Sequence, residues 1–265
     1  MKEFFPAIIV MAIFILSAYQ GKAIACEVIG HRGAAFYAPE NTVVSIKTAF
    51  KMGADGVEID VHLTKDGKIA VIHDSNTERT CAGEKLNIKE TEFSELRKLD
   101  AGIKKGEKFA GEKIPALEEI IRIIPEGKKL LIEIKCGTEI LKILADAVKK
   151  SGKAKHIVII GFSLEAVAMA KILLPESGAF WIVNKKTLSQ INEEDIVKIA
   201  KNNRLDGIDA DYKIATRKFI EDSHKAGLKF YAWTVDKTID AIKLKLHGLD
   251  ALASNKPDII KKALK

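Results

Sequence analysis

Several features that would fix a protein's class are scarce in this chain. Three cysteines in 265 residues, with no Cys-x-x-Cys or Cys/His spacing, exclude a disulfide-stapled scaffold and give no sign of a zinc module. Aromatic residues are 6% of the chain and the arginines do not cluster, so neither the stacking platform nor the basic tract of a nucleic-acid binder is present. No Gly-x-Gly-x-x-Gly follows the first strand-like run of the globular part, which weakens a dinucleotide-binding reading. The longest apolar run, Phe4 to Ala18, has fifteen residues, short of the about 20 that a membrane-spanning helix needs.

That run follows Lys2 and precedes Ala23-Ile24-Ala25, small residues where a signal peptidase reads them. Residues 1–25 are therefore expected to be an export signal cleaved after Ala25. An uncleaved anchor through residues 4–18 and lipidation of Cys26 are the other readings of this segment. Export to the periplasm or the exterior would allow disulfides. Cys81 and Cys136 could pair if strand ends bring them to one mouth, although unpaired thiols are the simpler expectation. The rest of the chain is 47% hydrophobic and 30% charged, enough for a packed core. Its formal net charge of +7 favours anionic partners such as phosphorylated metabolites or a membrane surface, with most lysines on solvated helix faces.

From Glu27 onward, strand and helix patterns alternate. Strands are expected at 27–31, 56–61, 69–73, 129–135, 157–162, 179–183, 206–209, 229–234 and 250–253. Helices are expected between most of them, the first capped by Asn41 and stopped by Gly53. About eight such units with short loops favour a closed TIM-type (β/α)8 barrel over an open sheet. Two irregularities stand out. Nine strands are one too many, and the second and third are too close for a crossover helix, so either they form a hairpin or one helix is missing. The polar, Lys/Glu-rich stretch from 75 to 111, with one amphipathic helix near Phe93 to Leu99, reads as a small insertion after the third strand.

The chemistry lies at strand ends. Residues i and i+2 of a strand share a face, so Glu58 and Asp60 project together, as do Glu133 and Lys135. Charged groups alternating with isoleucine on core strands are costly to bury unless they are paired or bind a metal. Carboxylates converging at a barrel mouth suit a hard divalent cation; structural salt bridges, with Lys135 neutralising Glu133, are the alternative. His31 and His73 each end a strand and suit general acid–base roles. Arg32 could clamp a phosphate. His62 shares the parity of Asp60 and is expected to support the site rather than act in it.

These residues lie in HRGAAFYAPENT (31–42), GADGVEIDVHLTKDGKIAVIHD (53–74), IPALEEI (114–120), LLIEIK (130–135) and YAWTVD (231–236). In this order, from about Glu27 to the C-terminus, they resemble the glycerophosphodiester phosphodiesterase family. The resemblance implies a TIM barrel with a small insertion and hydrolysis of glycerophosphodiesters to glycerol 3-phosphate and an alcohol. It implies His31 and His73 as the catalytic pair, Glu58, Asp60 and Glu133 as ligands of one cation, Ca2+ or Mg2+, and Arg32 and Lys135 as phosphate contacts. Trp233 would wall the substrate pocket. A cyclic glycerophosphate intermediate or direct attack by water would complete the cleavage. Ala116, Asp236 and Ser254-Asn255 depart from the family pattern, where Thr, Asn and Thr-Asp are usual; this bears on substrate choice more than on activity. A lysophospholipid substrate on the same site and a non-catalytic phosphate-binding barrel are the competing functions. The first would need an apolar acyl groove, and the second would be marked by a lost histidine or carboxylate.

Overall fold

The computed structural model describes residues 26–265, so the expected export segment lies outside the described residues. Its strands are β1 (Glu27–Gly30), β2 (Gly56–Leu63), β3 (Ile69–Val71), β4 (Lys129–Ile134), β5 (Ile157–Gly161), β6 (Gly178–Val183), β7 (Gly207–Asp211), β8 (Lys229–Trp233) and β9 (Ala251–Ser254). Eight of them form a closed parallel ring in the order β1-β2-β4-β5-β6-β7-β8-β9, with β9 returning to β1. The expected barrel is therefore present, and the surplus strand is β3. It pairs antiparallel with the far end of β2 as a hairpin outside the ring, through Val61–Val71 and Leu63–Ile69. No helix is missing, because helix Leu117–Ile123 carries the chain from the hairpin and the insertion back to β4. The insertion thus follows the third strand of the chain but the second strand of the barrel.

Alternation builds two cores. Outward residues such as Val57, Ile59, Ile132 and Ile159 pack under the helices. Inward residues such as Ile29, Leu131, Ile160, Phe180, Ile182 and Tyr231 fill the barrel. Lys129 closes its amino end, with Nζ 2.5 Å from Glu27 Oε2 and 3.3 Å from the Tyr231 hydroxyl. The insertion has its own small core, in which Cys81, Ile88, Leu96 and Ile114 pack on Ala70 and Ile72 of the hairpin. Its helix is a single turn, Phe93–Leu96, shorter than expected because Arg97 turns back to bond Glu119 and the Ile114 carbonyl. All three cysteines are unpaired.

One capping assignment is corrected. Thr42, not Asn41, caps helix Val43–Lys51: its backbone is extended and its hydroxyl accepts from the Ser45 N–H. Asn41 instead takes a left-handed conformation, φ 60°, tolerable for Asn, and turns its side chain into the barrel mouth. None of the helices among the described residues is long and apolar enough to cross a membrane.

Candidate active site

Strand parity and register bring three carboxylates together. Glu58 and Asp60 face inward on β2, and parallel pairing sets Asp60 opposite Glu133 of β4. Glu58, Asp60 and Glu133 each offer one oxygen within 4.8 Å of the other two. Glu58 is 3% exposed and Asp60 1%. Glu58 Oε1 and Asp60 Oδ1 have no hydrogen-bond partner.

Their other oxygens are held from several sides. The Arg32 backbone N–H donates to Glu58 Oε2 at 2.8 Å. Asn41 Nδ2 donates to Asp60 Oδ2 at 2.8 Å, and its Oδ1 accepts from the Asp60 N–H. The Arg32 guanidinium lies 3.2 Å from Asp60 Oδ2. Lys135 Nζ donates to Glu133 Oε1 at 2.8 Å and lies 3.6 Å from Asp60 Oδ1. The salt-bridge alternative is thus realised in part, yet two cations serve three carboxylates and Arg32 also pairs with Glu40. Like charges 4.8 Å apart repel by roughly 3 kcal/mol per pair at an effective dielectric of about 20. Burial first, and the neighbouring carboxylates second, push Glu58 well above the usual carboxylate range; burial and Asp60 raise Glu133 as well. An all-oxygen donor set with bare buried oxygens fits a hard divalent cation.

The histidines flank this cluster. His31 follows directly on β1, and its Nδ1 sits 2.8 Å from Asn255 Oδ1. Asn255 Nδ2 in turn donates to Asp236 Oδ2 at 2.7 Å. Asp236 and Asn255, two of the positions departing from the family pattern, therefore meet, and the amide rather than a carboxylate faces His31. Burial, then the Arg32 charge, lower the His31 pKa from its ordinary value. His73 Nδ1 lies 2.5 Å from Asp74 Oδ1, and its Nε2 is 3.2 Å from Lys135 Nζ. Arg79, from the insertion, bonds both Asp74 and Glu40, and this chain of charges joins His73 to Arg32. His62 Nε2 meets the His73 backbone carbonyl at 3.0 Å, under the site rather than in it.

A cavity of about 250 Å³ opens among these groups. His31, Arg32, Glu58, His73, Glu133 and Lys135 line one side. Phe162, Asp209, Tyr231 and Trp233 are on the other, with Phe162 edge-on to Trp233. Of the eight residues singled out from the sequence, seven line the cavity; Asp60 lies beneath it as part of the carboxylate cluster. Asn41, Glu40, Arg79, Phe162 and Asp209 were not anticipated as parts of the site, and Asp236 and Asn255 were noted only as departures from the family pattern. Asp209 carried a readable signal, since Asp209 and Asp211 repeat the i, i+2 carboxylate pattern of β2.

A parallel barrel with carboxylates and histidines at the carboxyl ends of its strands defines an enzyme-type barrel mouth. A sequence profile of the glycerophosphoryl diester phosphodiesterase family matches residues 31–259. A glycerophosphodiester phosphodiesterase of Caldanaerobacter subterraneus subsp. tengcongensis is 34% identical over 238 residues, 88% of this chain and 95% of that protein. One from Bacillus subtilis is 29% identical, covering 89% and 86%. A phosphodiesterase from Oleispira antarctica, solved with its product sn-glycerol-3-phosphate, superposes with a TM-score of 0.78 at 30% identity, over 90% of this chain and 96% of that one. The chain belongs to the glycerophosphoryl diester phosphodiesterase family, a family of phosphoric diester hydrolases.

The raised carboxylates give a signed expectation. A folded state that holds protons above the unfolded carboxylate value of 4.5 loses stability as pH rises through the raised values. Without a divalent cation, these groups should lower the melting temperature between about pH 5 and about pH 8. Ca2+ or Mg2+ should raise it more at the higher pH, because cation binding expels those protons. Thermal melts in both buffers check this; a cation effect that is absent, or larger at the lower pH, contradicts it.

Proposed function

We propose that the chain is an exported, divalent-cation-dependent phosphodiesterase that cleaves glycerophosphodiesters to glycerol 3-phosphate and an alcohol. The observation that carries this reading is one small cavity bordered by three convergent carboxylates, two hydrogen-bonded histidines and two cationic side chains. Family membership and the product in the Oleispira antarctica structure support it. Glu58, Asp60 and Glu133 would hold the cation, Ca2+ or Mg2+. When bound, it supplies Lewis-acid polarisation of a phosphoryl oxygen and a template for the displacement.

The protein's own groups divide the proton transfers. Donation from His31 Nδ1 to Asn255 leaves Nε2 with a lone pair, and the lowered pKa keeps that ring neutral. His31 is therefore the base, taking the proton of the attacking hydroxyl as the new P–O bond forms. Asp74, fixed by Arg79, accepts from His73 Nδ1–H and so orients the ring. With Lys135 turned to the phosphoryl oxygens, His73 Nε2, which faces it at 3.2 Å in the free site, would carry the proton given to the departing alcohol oxygen as the old P–O bond breaks. Attack by the substrate's own glycerol hydroxyl gives a cyclic phosphate. Water then opens it, with the two histidines exchanging roles. Direct attack by water uses the same assignments once. Arg32 and Lys135 offset the charge of the phosphoryl oxygens, and Trp233 walls the opposite side.

The size of the cavity favours a small diester over a lysophospholipid. The large apolar residues of the insertion, among them Ile88, Leu96 and Phe93, pack into its own core rather than line a groove. The non-catalytic reading finds no support in a site that retains every histidine and carboxylate it needs.

Incubating the purified protein with glycerophosphocholine should release glycerol 3-phosphate. EDTA should abolish the release, Ca2+ or Mg2+ should restore it, and His31→Ala should lower kcat by about 10²–10⁴-fold. Turnover that survives both EDTA and the mutation would sink the assignment. Exchanging the amide and carboxylate, in the double variant Asp236→Asn/Asn255→Asp, puts a negative charge against His31 Nδ1 and raises its pKa. The acid limb of kcat/KM should then move up by about one pH unit; an unmoved limb would show that His31 is not the base. For the export reading, intact-mass measurement of the protein from the extracytoplasmic fraction should find a chain starting at Cys26. A cytoplasmic protein of full mass would contradict it.

A further inference from the structure

The wall opposite the carboxylate cluster carries an acid that the proposed chemistry does not use. Asp209 projects inward from β7, while Ile208 and Ala210 pack outward beneath the helices. It is 4% exposed and lines the same cavity as His31 and Glu133. Among the described residues no group hydrogen-bonds its carboxyl. Its cross-strand neighbours give it nothing: Ile182 is apolar, and the Tyr231 hydroxyl is turned away to Lys129. The Trp233 indole N–H goes to the Asp209 backbone carbonyl, not to its side chain. The charge that acts on it is Glu133, of the same sign. A largely buried polar group without a protein partner is costly to keep. One kept in an otherwise apolar wall, facing a cavity, suits a ligand that satisfies it.

Depth indicates which part of a ligand that is. On β7 the next inward residue toward the mouth, Asp211, is partly exposed, whereas Asp209 is buried below the rim. The alcohol of a glycerophosphodiester varies in size and has to extend toward the open mouth. The enclosed end is left for the constant part, which is the glycerol. Resting on the function proposed above, we propose that Asp209 is the specificity-determining residue of this barrel, hydrogen-bonding a glycerol hydroxyl while the phosphate lies against the opposite wall. An oxygen of Asp209 accepts from a hydroxyl whether or not the carboxyl carries a proton. The rings of Trp233 and Phe162, edge-on to each other, border that bond on the apolar side of the cavity.

The test compares glycerol 3-phosphate with methyl phosphate, which keeps the phosphoryl group and lacks the hydroxyls. Both are measured as ligands by thermal shift and as inhibitors of glycerophosphocholine hydrolysis, with Ca2+ or Mg2+ present. The wild-type protein should prefer glycerol 3-phosphate at least tenfold. Asp209→Leu should remove most of that preference while leaving methyl phosphate binding unchanged, and should raise KM more than it lowers kcat. Asp209→Asn, which still accepts and donates, should recover the preference to within about threefold of wild type. Should the Leu variant fail to fold, Asp209→Ala gives the same readout. The inference is overturned if the wild type shows no preference, or if the substitution weakens both ligands equally or neither. Loss of hydrolysis with the preference intact counts against the proposed reaction, not against Asp209.

Discussion

The mutual repulsion of Glu58, Asp60 and Glu133 is the constraint to which the rest of this structure answers. Strand parity and the β2–β4 register force the three acids into one small volume, and burial denies them water. Almost every polar group nearby is arranged to offset part of that charge. The Arg32 backbone and side chain, Asn41 and Lys135 each approach from a different element. Arg32 owes its place to a tight left-handed turn: it and Gly33 have φ of 50° and 85°, and a Cβ on Gly33 would stand 2.4 Å from Ser45 Oγ. These partners still leave two buried carboxylate oxygens bare. The divalent cation proposed for this site would complete the balance without enlarging it.

A second layer of charges ties the moving parts of the chemistry to this centre. Glu40 bonds Arg32 and Arg79, and Arg79 bonds Asp74, which holds His73. The insertion therefore contributes to the site through one arginine, although its apolar residues serve its own core. On the other side, the Asp236–Asn255 pair holds His31. The barrel is thus divided: β1, β2 and β4 present charge, and β5 to β8 present apolar and aromatic walls in which Asp209 is the buried acid. That division matches a substrate with a phosphoryl group on one side and a small hydroxylic group on the other.

Much of this was legible in the sequence because it depends on short-range rules. Alternation on β2 and β4 exposed Glu58, Asp60, Glu133 and Lys135, and apolar runs ending in His located His31 and His73. The number of strands was legible but the odd one was not, since only pairing shows that β3 lies outside the ring. Asn41 looked like a helix cap because Asn favours that position, yet Thr42 next to it took the role. Arg79 and the Asp236–Asn255 pair act across 39 and 224 residues of chain, to Glu40 and His31 respectively, and no local pattern signals such contacts. Asp209 was overlooked for a different reason: its i, i+2 pattern was present but lacked a histidine or a basic residue beside it.

The measurement that bears most directly on the central claim is anomalous diffraction from crystals grown with Mn2+, a hard cation with similar oxygen preferences. A single strong peak is expected in contact with carboxylate oxygens of Glu58, Asp60 and Glu133, lost in Asp60→Asn crystals. No peak at that position, with Lys135 still bridging Glu133 and Asp60 at saturating Mn2+, would show that the acids are held by salt bridges alone, and the proposed chemistry would fall with the cation.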